Sequence, residues 1–426
     1  GRTDESYIQK ALDNDWLMCN DNVATPSNTT STIDLQLKAT LEPVRDLKID
    51  LNASHTMNRN KSVQFMYEGS PTTQSGSFNM TCISIRSALE GMGDASNGYS
   101  SASFDEFRGK IESYRQRVQA QYGSGRPSAE GTVNPVDPYS ADVLIPAFLS
   151  TYTAGAGSSL AIFPAITRML PNWSVRYSGL SKLPWIIDHF KSVNLNHGYK
   201  SVYSVGSYNS YSSWLEYMGD LGFIKTADGS YTPSSMFNIP TVSINESFLP
   251  LFGVDVTLLN NMTVKVEYKT TRVLNLSMTS VQINEALSKD WVIGLGYKLS
   301  NFNLFGSGTT NRKVKGSGKN KKNNDDKKDS STSSKNKGVN HDLNTRLDIS
   351  FRNQASITRD IASGVSSASS GNSAFKLSFM ADYSLSRYLT VSAYYNRQTN
   401  TPLLSSSSYP TTTQDFGLSV KFSLTR

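Results

Sequence analysis

Met262-Thr263-Val264-Lys265-Val266-Glu267-Tyr268-Lys269-Thr270-Thr271-Arg272-Val273-Leu274-Asn275-Leu276-Ser277-Met278 alternates with a period of two. The even positions are mostly apolar, and Lys265, Glu267, Lys269, Asn275 and Ser277 fill the gaps. Successive side chains of an extended chain point to opposite faces, so this spacing predicts a strand and excludes a helix. Ordinary strands run about five or six residues, whereas a strand that crosses a bilayer needs about nine to eleven. The run therefore has the length of a membrane strand or more.

The neighbouring residues repeat the pattern. Phe252, Val254, Val256 and Leu258 alternate ahead of a turn at Asn260-Asn261. Trp291, Ile293, Leu295, Tyr297 and Leu299 follow Ser288-Lys289-Asp290, which reads as a second turn. Strands joined by short turns make an antiparallel meander. Outward from this centre, Ile33 to Leu41 and Leu47 to Ala53 form a strand pair, with further strands at Val63 to Tyr67 and Phe78 to Ile85. Strands resume at Trp173 to Tyr177, Val193 to Tyr199 and Val202 to Tyr211. The last ninety or so residues alternate again, with a tight turn at Ser386-Arg387 and a final strand on Phe416, Leu418, Val420, Phe422 and Leu424.

Between these strand series, Phe104, Phe107, Ile111, Tyr114 and Val118 fall at helical spacing. Ser103 and Glu106 predict a capping box at the helix start. Val143 to Thr167 carries no charge but is broken by Pro146, Pro164 and a Gly/Ser joint, so it predicts two short helices rather than a membrane span. A chain without a membrane helix crosses lipid only as a closed barrel. Two readings of the helical stretch stay open: a plug or gate hung from a barrel wall, or a small subdomain packed on a soluble sheet.

The net charge of +7 says little about partners. Arg312 to Gly338 holds ten basic and three acidic residues, the whole of that excess, in a Lys/Asn/Ser/Asp-rich segment expected to be disordered. No aromatic residue in it stacks on bases, so nucleic acid is not an expected partner. Its side of the membrane depends on Asn353-Gln354: a hairpin turn there puts the insert outside the cell, and one long strand from Leu343 to Ile361 puts it in the periplasm. Cys19 and Cys82 have no metal-ligand spacing and are expected as unpaired thiols. His55, His189, His197 and His341 lack a completing ligand set. Gly294-Leu295-Gly296 is too short for a phosphate loop and predicts close backbone approach or a bulge. No catalytic, cofactor-binding or metal residues and no enzymatic activity are expected.

Several strings resemble a known family. They include Leu41-Glu42-Pro43-Val44-Arg45-Asp46-Leu47, Gln64-Phe65-Met66-Tyr67, Asp142-Val143-Leu144-Ile145-Pro146-Ala147-Phe148 and Leu170-Pro171-Asn172-Trp173. Gly179-Leu180-Ser181-Lys182-Leu183-Pro184, Asn260-Asn261-Met262-Thr263 and the ending from Tyr409-Pro410 to Phe422-Ser423-Leu424 complete the set. Together they are similar to the C-terminal portion of the SprA (Sov) family, outer-membrane translocons of the type IX secretion system of Bacteroidota, also linked to gliding motility. The resemblance runs from Trp16 onward and departs from the family chiefly in the length and charge of the Arg312 to Gly338 insert.

What the resemblance implies is a very large antiparallel transmembrane barrel that passes folded cargo bearing C-terminal sorting domains to the cell surface. It also implies a PorV-type shuttle barrel at a lateral gate and a periplasmic plug protein as partners. The expected division is 1–86 barrel strands, 87–172 a helical or irregular lumenal or gate insertion, 173–299 barrel strands, 300–342 a basic disordered loop and 343–426 C-terminal barrel strands. The opening Gly1-Arg2-Thr3-Asp4, without Met or an apolar leader, predicts a fragment or a processed C-terminal part. A nutrient or lipopolysaccharide transporter barrel and a soluble β-rich adhesin are the competing readings.

Overall fold

Among the residues described by a computed structural model of the chain, the alternating runs become sixteen strands. The structure describes residues 7–16, 26–63, 72–91, 93–123, 131–219, 221–300, 302, 342–386, 388–404 and 409–423. A short helix α1 (Tyr7–Asp13) precedes β1 (Ser27–Val44), β2 (Leu47–Val63) and β3 (Thr73–Thr81). Helices α2 (Ile85–Ala88), α3 (Ala102–Tyr122) and α4 (Ala141–Tyr152) follow, then β4 (Asn172–Tyr177), α5 (Pro184–Ile187) and β5 (Phe190–Ser210). A three-stranded sheet of β6 (Trp214–Met218), β7 (Leu221–Lys225) and β8 (Tyr231–Ser234) leads through β9 (Phe237–Asn238) to the main meander. That meander comprises β10 (Thr241–Leu258), β11 (Met262–Ser277), β12 (Gln282–Leu299), β13 (Leu343–Asp360), β14 (Ser366–Ser384), β15 (Leu389–Pro402) and β16 (Thr411–Phe422).

One sheet of 13 strands holds all but the β6–β8 set, in the order β1-β2-β3-β5 and then β10 through β16, all antiparallel. The chain is therefore mostly β, and among the described residues no helix is long and apolar enough to cross a membrane. Among the described residues β1 pairs only with β2 and β16 only with β15, so the sheet they form is open with two long free edges.

β3 and β4 share one lane. β3 pairs with β2 at His55–Ser62, β4 pairs with β2 at Leu47–Asn52, and both pair with β5 on their other side. They are two halves of a single strand path from which residues 82–171 bulge out. Leu170 N–H donating to Thr81 O at 3.3 Å and Ala154 N–H donating to Ile83 O at 2.6 Å close the neck.

The bulge is built on α3 and α4. Phe104, Phe107, Ile111, Tyr114, Val118 and Tyr122 form the buried stripe of α3, while nearly every residue of α4 from Val143 to Leu149 is buried. Both helices pack with Tyr203, Val205, Val242, Ile244, Leu274, Leu276 and Ile283 of the sheet. Ser101, not Ser103, caps α3: its Oγ accepts from Phe104 N–H at 3.2 Å. Ser103 Oγ instead donates to Glu90, so the cap lies two residues earlier and, with Phe104 at the third helical position, is a single N-cap bond and not the expected box. Replacing Ser101 by alanine is expected to cost about 1 kcal/mol, read as faster amide exchange in the first turn of α3.

Other expectations are also corrected. Ser288-Lys289-Asp290 lies inside β12, and the turn falls at residues 278–281; the three polar residues imitate a turn, but Ser288 and Asp290 are polar-face positions of a continuous strand and Lys289 is a polar residue on its apolar-parity face. The segments 193–199 and 202–211 are one strand, β5, because Lys200 and Ser201 continue the ladder with β10. The strand expected to reach Ile85 ends at Thr81, where the neck begins. Residues 64–67 and 424 lie outside the described residues, as do Cys19 and nearly all of 300–342. Cys82 is a buried free thiol.

Candidate functional site: the two faces of the wall

Register converts the sequence alternation into two surfaces. Following the ladder from β10 to β14, Val266 lies opposite Val254 and Ile293, Ile293 opposite Ile349, and Ile349 opposite Leu377. One step along, Val264, Leu295, Leu347 and Phe379 are aligned in the same way. The band continues to Val391, Ala393, Leu418 and Val420 at one edge, and to Leu37, Ala39, Leu51 and Ile49 at the other. All of these share one face. At the β16 edge Phe416 is 85% and Leu418 78% exposed, so the band has no cover there. An apolar surface of this extent on a folded chain marks an interface rather than a solvent surface.

The opposite face is polar and internally paired. Lys265 and Lys269 both reach Glu267 at 2.9 Å, Arg352 Nε donates to Asp290 at 2.8 Å, and Arg346 Nε donates to Asp348 at 2.7 Å. Gly296 belongs to this face: a Cβ there would sit 2.5 Å from Thr263 Oγ1, so glycine leaves room for a polar neighbour. The ladder shows no register shift at Gly294 or Gly296, and close approach rather than a bulge explains the pair.

A row of aromatic residues bounds the band. Phe252, Tyr268, Trp291, Phe351 and Phe375 stand in register on β10 to β14. Ring centroids are 4.8 Å apart for Tyr268 and Trp291, and 5.0 Å for Phe351 and Phe375. Two residues further from the band the row turns polar, with Thr270, Lys289, Asn353, Ser373 and Thr401 aligned.

Above that polar row the same apolar-parity face carries the helical insertion. The insertion expected over 87–172 therefore packs on the apolar-parity face of the sheet and not on the ion-paired one. Leu274 and Leu276, which touch the helices, have the parity of Val264 and Val266. Apolar alternates serve two purposes along one strand: uncovered band at one end, helix-covered core at the other.

A line of charge runs through this helix-covered half. Glu246 on β10 lies opposite Arg272 on β11. Arg272 Nε donates to Glu285 Oε1 at 2.7 Å, and Arg359 Nε donates to Glu285 Oε2 at 2.9 Å. All four side chains are buried, Arg359 to 1% exposure. The insertion supplies the lid: Arg359 donates to Tyr99 O and lies over the Phe104 ring, Arg272 lies 5.5 Å from the Tyr152 centroid, and Arg108 Nε donates to Ile361 O at 3.0 Å. Buried charges are retained only when paired. Sequence reasoning passed over this row, although charges at apolar-parity positions were the signal available.

Within the insertion, burial raises the Asp142 carboxyl above its ordinary 3.8 despite the Ser235 N–H it accepts at 2.7 Å. A raised folded-state value means that the folded chain holds the proton more tightly. The associated stability is full below about pH 3.8 and is lost as pH rises through the folded value. Amide protection in α4 is expected to fall over that window, and Asp142→Asn is expected to flatten the dependence. Burial against Glu90 is outweighed by hydrogen bonds from Ser103 and Ser101, which hold its carboxyl low. Burial pushes Cys82 up to about 11, so it is a thiol, not a thiolate nucleophile, at neutral pH.

Among the described residues no group of three or more His, Cys, Asp or Glu side chains is gathered where a metal ion would sit. His197 Nδ1 is engaged with Leu251 O at 2.5 Å, and His55 packs edge-on to Phe78.

No protein-family model matches the chain, and no curated protein matches it. Two solved structures of OmpT, an outer membrane protein of Vibrio cholerae folded in vitro, align with it. The trimer form is 10% identical, covers 93% of this chain and 99% of its own, and has a TM-score of 0.22. The other is 9% identical, covers 93% and 97%, and has a TM-score of 0.21. Superposition that loose carries no argument, and the architecture rests on the chain's own register: one large open antiparallel sheet with an apolar face, a polar face and a helical insertion.

Proposed function

We propose that this chain is part of the wall of a large outer-membrane barrel, the protein-conducting translocon of type IX secretion. The observation that carries the membrane part is the uncovered apolar band with its aromatic row on one face, backed by a polar, internally paired face. A barrel wall presents this pair of surfaces to lipid and to a water-filled lumen, with aromatic girdles at the interfaces. On β12 the band runs from Trp291 to Leu299, nine residues, the length that crosses a bilayer on a tilted strand. The two free edges leave room for further strands on either side.

Orientation follows from the turns. At the band end β1–β2, β10–β11 and β14–β15 are joined tightly and β12–β13 by the long basic insert; the other end has tight β11–β12 and β13–β14 turns but carries the insertion and the β6–β8 sheet, the folded elaborations on which the orientation rests. Outer-membrane barrels keep short turns in the periplasm and long elaborations outside. The insertion is then an extracellular structure leaning on the outer flank of the wall. β13 runs unbroken from Leu343 to Asp360 and pairs with β12 down to Leu299, so the basic insert leaves from the periplasmic end.

The secretion assignment rests on the sequence resemblance. Its conduction needs no covalent step: the polar face lines the path, and a PorV-type shuttle, a periplasmic plug and sorting-domain cargo are the partners. Deleting the gene is expected to abolish surface display of sorting-domain cargo; loss of solute uptake with cargo display intact would instead favour a nutrient or lipopolysaccharide transporter. Release of the protein from membranes by carbonate would remove the barrel reading altogether.

A further inference from the structure

The step between the aromatic row and the helix-covered half holds a groove of about 450 Å³ that the paired face and the insertion leave unused. Its floor is Tyr268, Trp291, Phe351 and Phe375, its upper wall is Lys289, Asn353, Ser373 and Thr401, and Arg352, already paired with Asp290, also borders it. Leu287 and Ala355, buried one row higher, end the covered region directly above it. Lys289 is half-buried on the apolar-parity face, and no salt bridge or side-chain hydrogen bond to it occurs among the described residues. The nearby acids are committed elsewhere: Asp290 faces the other side with Arg352, and Glu285 is taken up by Arg272 and Arg359. A second cation without a carboxylate partner among the described residues, the exposed Arg397, stands opposite Leu377 on β15, two residues from Thr399 of the groove lining.

We propose that this groove is a binding site for a phosphate-bearing membrane amphiphile, its acyl chains lying on the aromatic floor and its anionic head on Lys289, with Arg397 as a second contact. The inference rests on the reading of the band as membrane-embedded. Charge complementarity selects the ligand: an apolar floor alone accepts any lipid, whereas an unpaired ammonium at the head-group level, ringed by Asn353, Ser373 and Thr401, favours an anionic one. Such a lipid neutralises two cations that otherwise sit unpaired at the edge of a low-dielectric layer. It also seats a head group against the underside of the insertion.

The test compares phosphatidylglycerol with phosphatidylcholine of identical chains. The whole protein and its Lys289→Gln/Arg397→Gln variant are reconstituted into vesicles of each lipid, extracted in mild detergent, and the retained lipid is counted by native mass spectrometry. The wild type is expected to retain phosphatidylglycerol about tenfold better, the worth of one charge-assisted hydrogen bond, and the variant to retain both alike. Equal preference in wild type and variant would overturn the site. So would inorganic phosphate bound by lipid-free protein as tightly as the lipid, because the chains would then contribute nothing. Quenching of Trp291 by brominated acyl chains, measured as the difference from Trp291→Phe, reports the band separately. Loss of that quenching counts against the membrane reading, while quenching with unchanged lipid preference counts against the site alone.

Discussion

Replacing Glu285 by alanine is expected to destabilise the chain by about 3–5 kcal/mol, because it leaves Arg272 and Arg359 buried without their shared counter-ion. Arg359 is 1% exposed and Arg272 4%, so neither guanidinium reaches water to recover the loss. The helices amplify it, since Arg359 also holds Tyr99 O and lies over Phe104. Urea unfolding in detergent measures the cost, and amide exchange in α3 and α4 locates it. Exchange in those helices should accelerate before any change in the β14–β16 ladder. A concerted change of Arg272, Glu285 and Arg359 to apolar residues of similar volume is expected to recover most of the loss, because desolvation of the ions disappears with them. A cost below about 0.5 kcal/mol for the single change would show that the row is solvated and the insertion undocked.

The contrast between what the alternation revealed and what it hid has one physical origin. A period of two reports which side chains share a face, and Met262 to Ser277 keeps one parity without a register shift to β12. The long strands, the Asn260-Asn261 turn and the C-terminal meander were legible for that reason. Parity does not report what covers a face. Val266 and Leu274 look alike in sequence, yet one lies in the uncovered band and the other beneath α3 and α4. Hence the alternation left open which face of the sheet the insertion covers. The join between Thr81 and Asn172 was equally invisible, because strand halves separated by some ninety residues share a lane only through pairing with β2 and β5. Lys289 was misread as turn chemistry because Ser288 and Asp290 flank it, although its own parity matched Trp291 and Leu287. The charge row was legible in principle: Glu246, Arg272, Glu285 and Arg359 each interrupt an apolar parity, and only partner contacts turn those interruptions into a site.

Val266→Arg and Val292→Arg form the sharpest test of which face meets lipid. The two valines sit one step apart on adjacent strands: Val266 lies opposite Ile293, and Val292 opposite Glu267. They have similar depth, the same native side chain and opposite faces. An arginine on the lipid face costs about 2–4 kcal/mol at mid-membrane depth and less toward the interface, and Val266 stands between the middle of the band at Val264 and the aromatic row at Tyr268. An arginine beside Glu267 instead gains a carboxylate and faces water. Glu267 itself would be a poor control, because Lys265 and Lys269 both bind it and its reversal would gather three cations. Val266→Arg is therefore expected to lower the yield of folded, heat-modifiable protein in the membrane, and Val292→Arg to leave it near wild type. Equal losses would mean that neither face meets lipid differently from the other. The reverse order would place the polar pairs, and not the apolar band, against the acyl chains. The aromatic row extends the comparison, since Arg at Trp291, at the rim of the band, should cost less than at Val266 under the same depth rule.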